Sequence, residues 1–130
     1  RAVKRSKATC FKRLQRLKET GVIRRTVTLL DPKAINLPTT AMVTIKLGTL
    51  ETPIETTAKR LVEVPEVMDV FLVEERRELL LRIVMPRAAG WPALQRELRS
   101  HVPTGEMTVS IVQCLQTKTA LPLGFAAVGA

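Results

Sequence analysis

The chain has 130 residues, a formal net charge of +9 and a hydrophobic content of 45%, which suits one domain with a packed core, or one domain plus a small appendage. Aromatic residues make up only 3%, with Trp91, three Phe and no Tyr, and this argues against binding single-stranded nucleic acid by base stacking. No stretch approaches the roughly 18 apolar residues of a membrane span, and the uncharged run from Thr119 to Ala130 is broken by Pro122 and Gly124.

The excess charge is local. Arg1, Lys4, Arg5, Lys7, Lys12, Arg13, Arg16, Lys18, Arg24 and Arg25 fall within the first 25 residues against the single acid Glu19, while the basic and acidic residues of the remainder balance. A tract so dense in cations either repels itself into disorder or meets a polyanion, such as nucleic acid or an acidic membrane surface.

Ser6 is a good N-cap for a helix over 7–20, a stretch without Gly or Pro. Cys10, Phe11, Leu14 and Leu17 recur on one face at helical spacing, and Arg5, Thr9, Lys12, Arg13 and Arg16 fall on the opposite one. Gly21 supplies a left-handed end. An ordinary exposed helix carries acid–base pairs four residues apart, and the scarcity of acids sets this one apart. Val22–Leu30 follows as a strand with partial alternation. Membrane association through this helix is a weak reading, because its apolar face holds no Trp and one Phe.

A second rhythm follows. Asp31-Pro32-Lys33 begins a short helical turn, and Ala41–Leu47 reads as a strand. Pro53 suits a first helical turn, with Ile54, Ala58, Leu61 and Val62 at helical spacing to about Val64. Val67–Val73 is a strand, Glu74-Glu75-Arg76-Arg77-Glu78 a charged hairpin loop, and Leu79–Met85 the returning strand. Ala88–Ser100 is a second helix, with Trp91, Leu94 and Leu98 on one side, and Met107–Leu115 the last strand. Cys10 and Cys114 form no motif and read as reduced, buried thiols of a cytosolic protein.

The order β-α-β-β-α-β is that of the ferredoxin-like split motif, an α+β sandwich with a four-stranded antiparallel sheet and two helices on one face. The middle strands are apolar on both faces, as in Val70-Phe71-Leu72-Val73 and Leu79-Leu80-Leu81. Two helices cover one face only. A second copy of the chain covers the other, so a homodimer is expected.

Several stretches, in this order and spacing, resemble the Lrp/AsnC family, the leucine-responsive or feast/famine regulators of bacteria and archaea. They are Ser6 to Leu17, Gly21-Val22-Ile23, Leu30-Asp31-Pro32, Val64-Pro65-Glu66-Val67, Leu80 to Val84 and Thr119 to Leu123. The resemblance implies a cytoplasmic, sequence-specific transcriptional regulator that binds double-stranded DNA and responds to an amino acid or other small metabolite bound between subunits of a homodimer or higher oligomer. On it, residues 1–30 are the remnant of a helix-turn-helix domain with a linker strand. The recognition helix is at about 7–20, and the domain's first two helices are missing. Residues 31–123 form the ferredoxin-like effector-binding and oligomerisation domain, and 124–130 a tail.

The first-turn residues Ser6, Lys7 and Thr9 are then placed to face base edges, with Lys12, Arg13 and Arg16 further along as base or phosphate contacts. Family members often carry Gly-Asp-Tyr-Asp beside the effector pocket, where this chain has Glu75-Arg76-Arg77-Glu78, so only the last acid is kept. Thr108 and Ser110 on the last strand are further effector candidates. The competing reading is a ligand-sensing or assembly module of the same fold without DNA binding in this truncated form. Enzymatic chemistry finds little support: His101 is the one histidine and reads as a helix-end residue. No Cys/His cluster has metal spacing and no Gly-rich loop cradles phosphate, so no cofactor and no metal are expected. Some relatives in the family decarboxylate tetrapyrroles, a chemistry that wants several His and Tyr.

Overall fold

The structure is a computed structural model that describes residues 7–48, 52–103 and 105–122. It divides into two compact units, one made of residues 1–29 with 116–130 and the other of Leu30–Leu115.

In the first unit, α1 spans Lys7–Glu19 and carries no acid in its first turn and Arg16 and Lys18 in its last. Cations at that end oppose the partial negative charge of the helix C-terminus. Gly21, at φ +82°, reverses the chain in a conformation that other residues adopt at a cost. The Ile23 N–H then returns to the Leu17 carbonyl at 2.9 Å, and Thr20 Oγ1 donates to the Arg16 carbonyl at 3.0 Å. Ser6, the expected cap, lies outside the described residues.

Residues 22–30, expected as a strand, carry no strand pairing. Strand geometry persists where a neighbour completes the hydrogen-bond ladder, and no described strand pairs with this segment. Its apolar side chains Val27, Leu29 and Leu30 remain exposed.

The second unit begins with a turn in which the Lys33 N–H bonds to Asp31 Oδ1 at 3.1 Å and Leu37 N–H to the Pro32 carbonyl at 2.7 Å. Asn36 adopts φ 64°, the left-handed conformation that Asn tolerates better than most side chains. Strand β1 is Thr39–Lys46, helix α2 Ile54–Val62, strand β2 Val67–Val73 and strand β3 Glu78–Met85. A single 3-10 turn over Ala88–Gly90 leads into α3, Trp91–His101, and strand β4 is Glu106–Val112. The sheet order is β2-β3-β1-β4, with every neighbouring pair antiparallel. This is the ferredoxin-like order, in which β3 slots between the two strands joined through α2.

Register assigns the strand positions to two faces, with an irregularity between Val67 and Asp69 of β2 that puts these two residues on opposite faces. Ala41, Val43 and Ile45 of β1, Leu79, Leu81, Ile83 and Met85 of β3, and Val67 of β2 form the core with Leu61 of α2 and Leu94 and Leu98 of α3. The alternate positions Met42, Thr44, Leu80, Arg82, Asp69, Phe71, Thr108 and Ser110 lie on the outer face. Phe71 is 51% exposed there. At one end of the sheet Thr40 pairs with Val112, and a groove of about 370 Å³ is lined by Asp31, Pro32, Val112 and Cys114 among others. Both cysteines are exposed and unbridged, which corrects the expectation of buried thiols. Cys10 lies on an open helix, and Cys114 lies beyond the last residue of β4, where pairing has ended.

Candidate nucleic-acid helix and effector hairpin

Helix α1 presents Thr9, Lys12, Arg13 and Arg16 as exposed side chains. Successive steps of three and four residues bring Thr9, Lys12, Arg13 and Arg16 onto neighbouring turns of one face. Lys7 begins the helix, and Ser6, Arg1 and Arg5 fall outside the described residues. The apolar face is open as well, with Phe11 66% and Leu14 43% exposed. The helix has the chemistry to meet a phosphate backbone: four exposed cations at positions 12, 13, 16 and 18 and no acid before Glu19.

The hairpin closes through Arg76 N–H to the Val73 carbonyl and Arg77 N–H to the Glu74 carbonyl, both at 3.3 Å. Arg77 is held at φ 50° while its carbonyl accepts from the Leu47 N–H at 3.0 Å. That bond ties the hairpin to the end of β1 and fixes a backbone that costs an arginine about 1 kcal/mol or more. Glu78 is buried and lies 3.8 Å from Arg76 Nη1, so the retained acid is engaged by an arginine of its own loop. Glu75 is exposed.

An open cleft of about 710 Å³ adjoins the hairpin, lined by Thr52, Pro53, Ile54, Leu72, Glu74 and Arg77 among others. The volume and the mixture of apolar and charged lining residues suit a small metabolite. Of the predicted effector residues, Arg77 lines this cleft. Thr108 and Ser110 stand elsewhere, since β4 is the edge strand remote from the hairpin, with Thr108 opposite Thr44 and Ser110 opposite Met42 of the intervening β1. Glu78 reaches that side only through Lys46, its partner in register.

Two residues that the sequence reading passed over form the shortest ion pair among those described: Arg82 Nε donates to Asp69 Oδ2 at 2.6 Å. Each is the single charge inside an otherwise apolar strand core, VMDVFLV and LLLRIVM. Opposite signs in two strands of one hairpin were the available signal. Among the described residues no group of His, Cys, Asp and Glu could hold a metal ion, and no described helix is long and apolar enough to cross a membrane.

No family profile matches the chain. A solved AsnC family transcriptional regulator from Agrobacterium tumefaciens is 30% identical, with a TM-score of 0.77, over 94% of this chain and 81% of that one. A transcriptional regulator from Neisseria meningitidis, solved as an L-Met complex, is 25% identical with a TM-score of 0.78, over 92% of this chain and 79% of that one. Among curated proteins, the HTH-type transcriptional regulator Zrp of Zymomonas mobilis is 29% identical over 123 residues, 92% of this chain and 80% of its own length. The chain therefore belongs to the Lrp/AsnC family of transcriptional regulators.

Proposed function

We propose that the protein is a sequence-specific, double-stranded-DNA-binding regulator whose α1 is the recognition helix, and whose sheet unit pairs two copies and responds to an amino acid or similar metabolite. The observation that carries the reading is the basic α1, with Lys12, Arg13, Arg16 and Lys18 exposed and acids absent until Glu19. In this reading Ser6, Lys7 and Thr9 take the base-edge positions, and Lys12, Arg13 and Arg16 take base or phosphate positions.

The sheet's outer face is the dimer surface in this reading. Met42, Leu80 and Phe71 give it an apolar centre, and its charges nearly cancel: Lys46 and Arg82 against Asp69, Glu78 and Glu106. A face of that composition meets its own copy without net repulsion. The effector lies at the hairpin formed by Glu75, Arg76, Arg77 and Glu78, and Thr108 and Ser110 join it only across a subunit boundary. The solved Neisseria relative holds L-Met, which supports an amino acid as the first ligand to try. The chemistry is binding, without catalysis and without a cofactor.

The test is duplex binding by fluorescence anisotropy across a salt series. A slope of about −0.9 in log K against log salt per phosphate contacted, together with preference for a pseudo-palindromic site, is expected. A flat salt dependence, with no discrimination between duplexes, returns the protein to the second reading of a sensing or assembly module of the same fold.

A further inference from the structure

The outer face carries one charged pair where the neighbouring positions are apolar. Arg82 stands opposite Met42 of β1 and Asp69 of β2, with Leu80 and Val84 two residues away along β3 and Phe71 two residues beyond Asp69. The side chains are 42% and 38% exposed. A second outer-face pair, Lys46 with Glu106, is 63% and 69% exposed at 3.7 Å and lies at one end of the strands. Arg82 sits nearer the centre.

Arginine offers five N–H donors, and a carboxylate accepts on both oxygens. The Nε–Oδ2 bond is the one hydrogen bond either side chain makes among the described residues. In a free chain, water serves the remaining groups. Under a second copy it cannot, and an unsatisfied buried donor or acceptor is penalised.

We propose that the Asp69–Arg82 pair is the register key of the homodimer. The free guanidinium N–H groups and the free carboxylate oxygen require polar partners from the second copy, so one alignment of the two sheets is admitted and the others are rejected. This rests on the outer face being the dimer surface. Met42, Leu80 and Phe71 alone would bury similar apolar area in several alignments, because apolar contact is non-directional. The ion pair adds direction more than affinity: well-packed apolar replacements of a buried pair are often neutral or stabilising, whereas removing one partner strands a charge. The asymmetry separates a key from simple glue.

The test uses the full chain with Cys10→Ser and Cys114→Ser, spin-labelled at Arg96→Cys, an exposed position on α3. Inter-subunit distances come from double electron–electron resonance, dissociation constants from sedimentation equilibrium, and circular dichroism verifies that each variant is folded. The parent is expected to give one narrow distance. Asp69→Leu with Arg82→Met keeps the dissociation constant within about threefold and spreads the distances over several values. Asp69→Leu alone raises the dissociation constant about tenfold or more. A double variant with the parent's single narrow distance, or an Asp69→Leu dimer of unchanged affinity, overturns the proposal. Leu80→Asp separates the two levels. If it leaves the dimer intact, the outer-face reading itself fails. If it yields monomers while the double variant keeps its narrow distance, only the register key fails.

Discussion

Replacing Gly105 with alanine puts a close backbone approach in the sheet unit to the test. A Cβ at that position falls 2.5 Å from Ile45 Cγ2, 3.0 Å from Val102 Cγ1 and 3.1 Å from the Lys46 carbonyl oxygen. Carbon atoms in good contact stand about 3.5–4.0 Å apart, so Ile45 has to withdraw by roughly 1 Å. Ile45 and Val102 are both 0% exposed, so no open space receives the displaced atoms. Overpacking of this kind costs about 1–3 kcal/mol. The Gly105 carbonyl also accepts from Arg99 Nη1 at 2.7 Å, and a backbone shift loosens that bond, which favours about 2 kcal/mol. For a domain of this size 1 kcal/mol moves Tm by roughly 4–8 °C, so Tm is expected to fall by about 8–16 °C. Gly90→Ala is the control. Nothing lies within 4 Å of its Cβ position and its φ of −76° suits alanine, so it should gain about 0.4–1 kcal/mol through the unfolded chain. Both variants are melted by circular dichroism at one protein concentration. A Gly105→Ala Tm within about 2 °C of the parent's, well below the expected shift, would refute the packing argument.

Three more outcomes follow from single positions. Asn36, at φ 64°, should lose about 1 kcal/mol as Ala and almost nothing as Gly; equal urea midpoints for the two variants would contradict this. Leu98 is 0% exposed on α3, so Leu98→Ala should cost about 2–5 kcal/mol in urea unfolding, and a loss below about 1 kcal/mol would mean that α3 does not seal the core. Arg13→Ala should weaken duplex binding by about 1–3 kcal/mol at fixed salt if the side chain reads a base. Unchanged affinity would remove Arg13 from the contact set.

The sheet was readable from sequence because its strands are short apolar runs bounded by proline, glycine and charged turns. Val67–Val73 agrees with its predicted bounds at both ends, and β3 begins one residue earlier than expected, at Glu78. Local rules were enough for Gly21 as well, whose left-handed φ follows from the absence of Cβ. They misled at Val22–Leu30, where the residue pattern favours a strand but strand formation depends on a neighbour that no local pattern encodes. The last strand stops at Val112 rather than Leu115 for a related reason: its pairing with β1 ends at Thr40. The candidate site was legible in its loop and obscure in its walls. Arg77 was identifiable from the charged hairpin, whereas Ile54 and Leu72 line the same cleft only because the fold returns α2 beside the hairpin. The separation of Thr108 and Ser110 from that hairpin could not be read either, because strand order is a property of the whole chain.

The pairing of Thr40 with Val112 has a consequence for how this protein can be taken apart. The Leu30–Leu115 unit enters and leaves by adjacent strands, and Asp31 and Cys114 border one groove. Its two ends therefore lie together, and a linker of a few residues can close them at small entropic cost. Such connectivity makes the unit a cassette: it is suited to circular permutation, or to insertion into an exposed loop of a host protein, where closely spaced ends leave the host's own strands undisturbed.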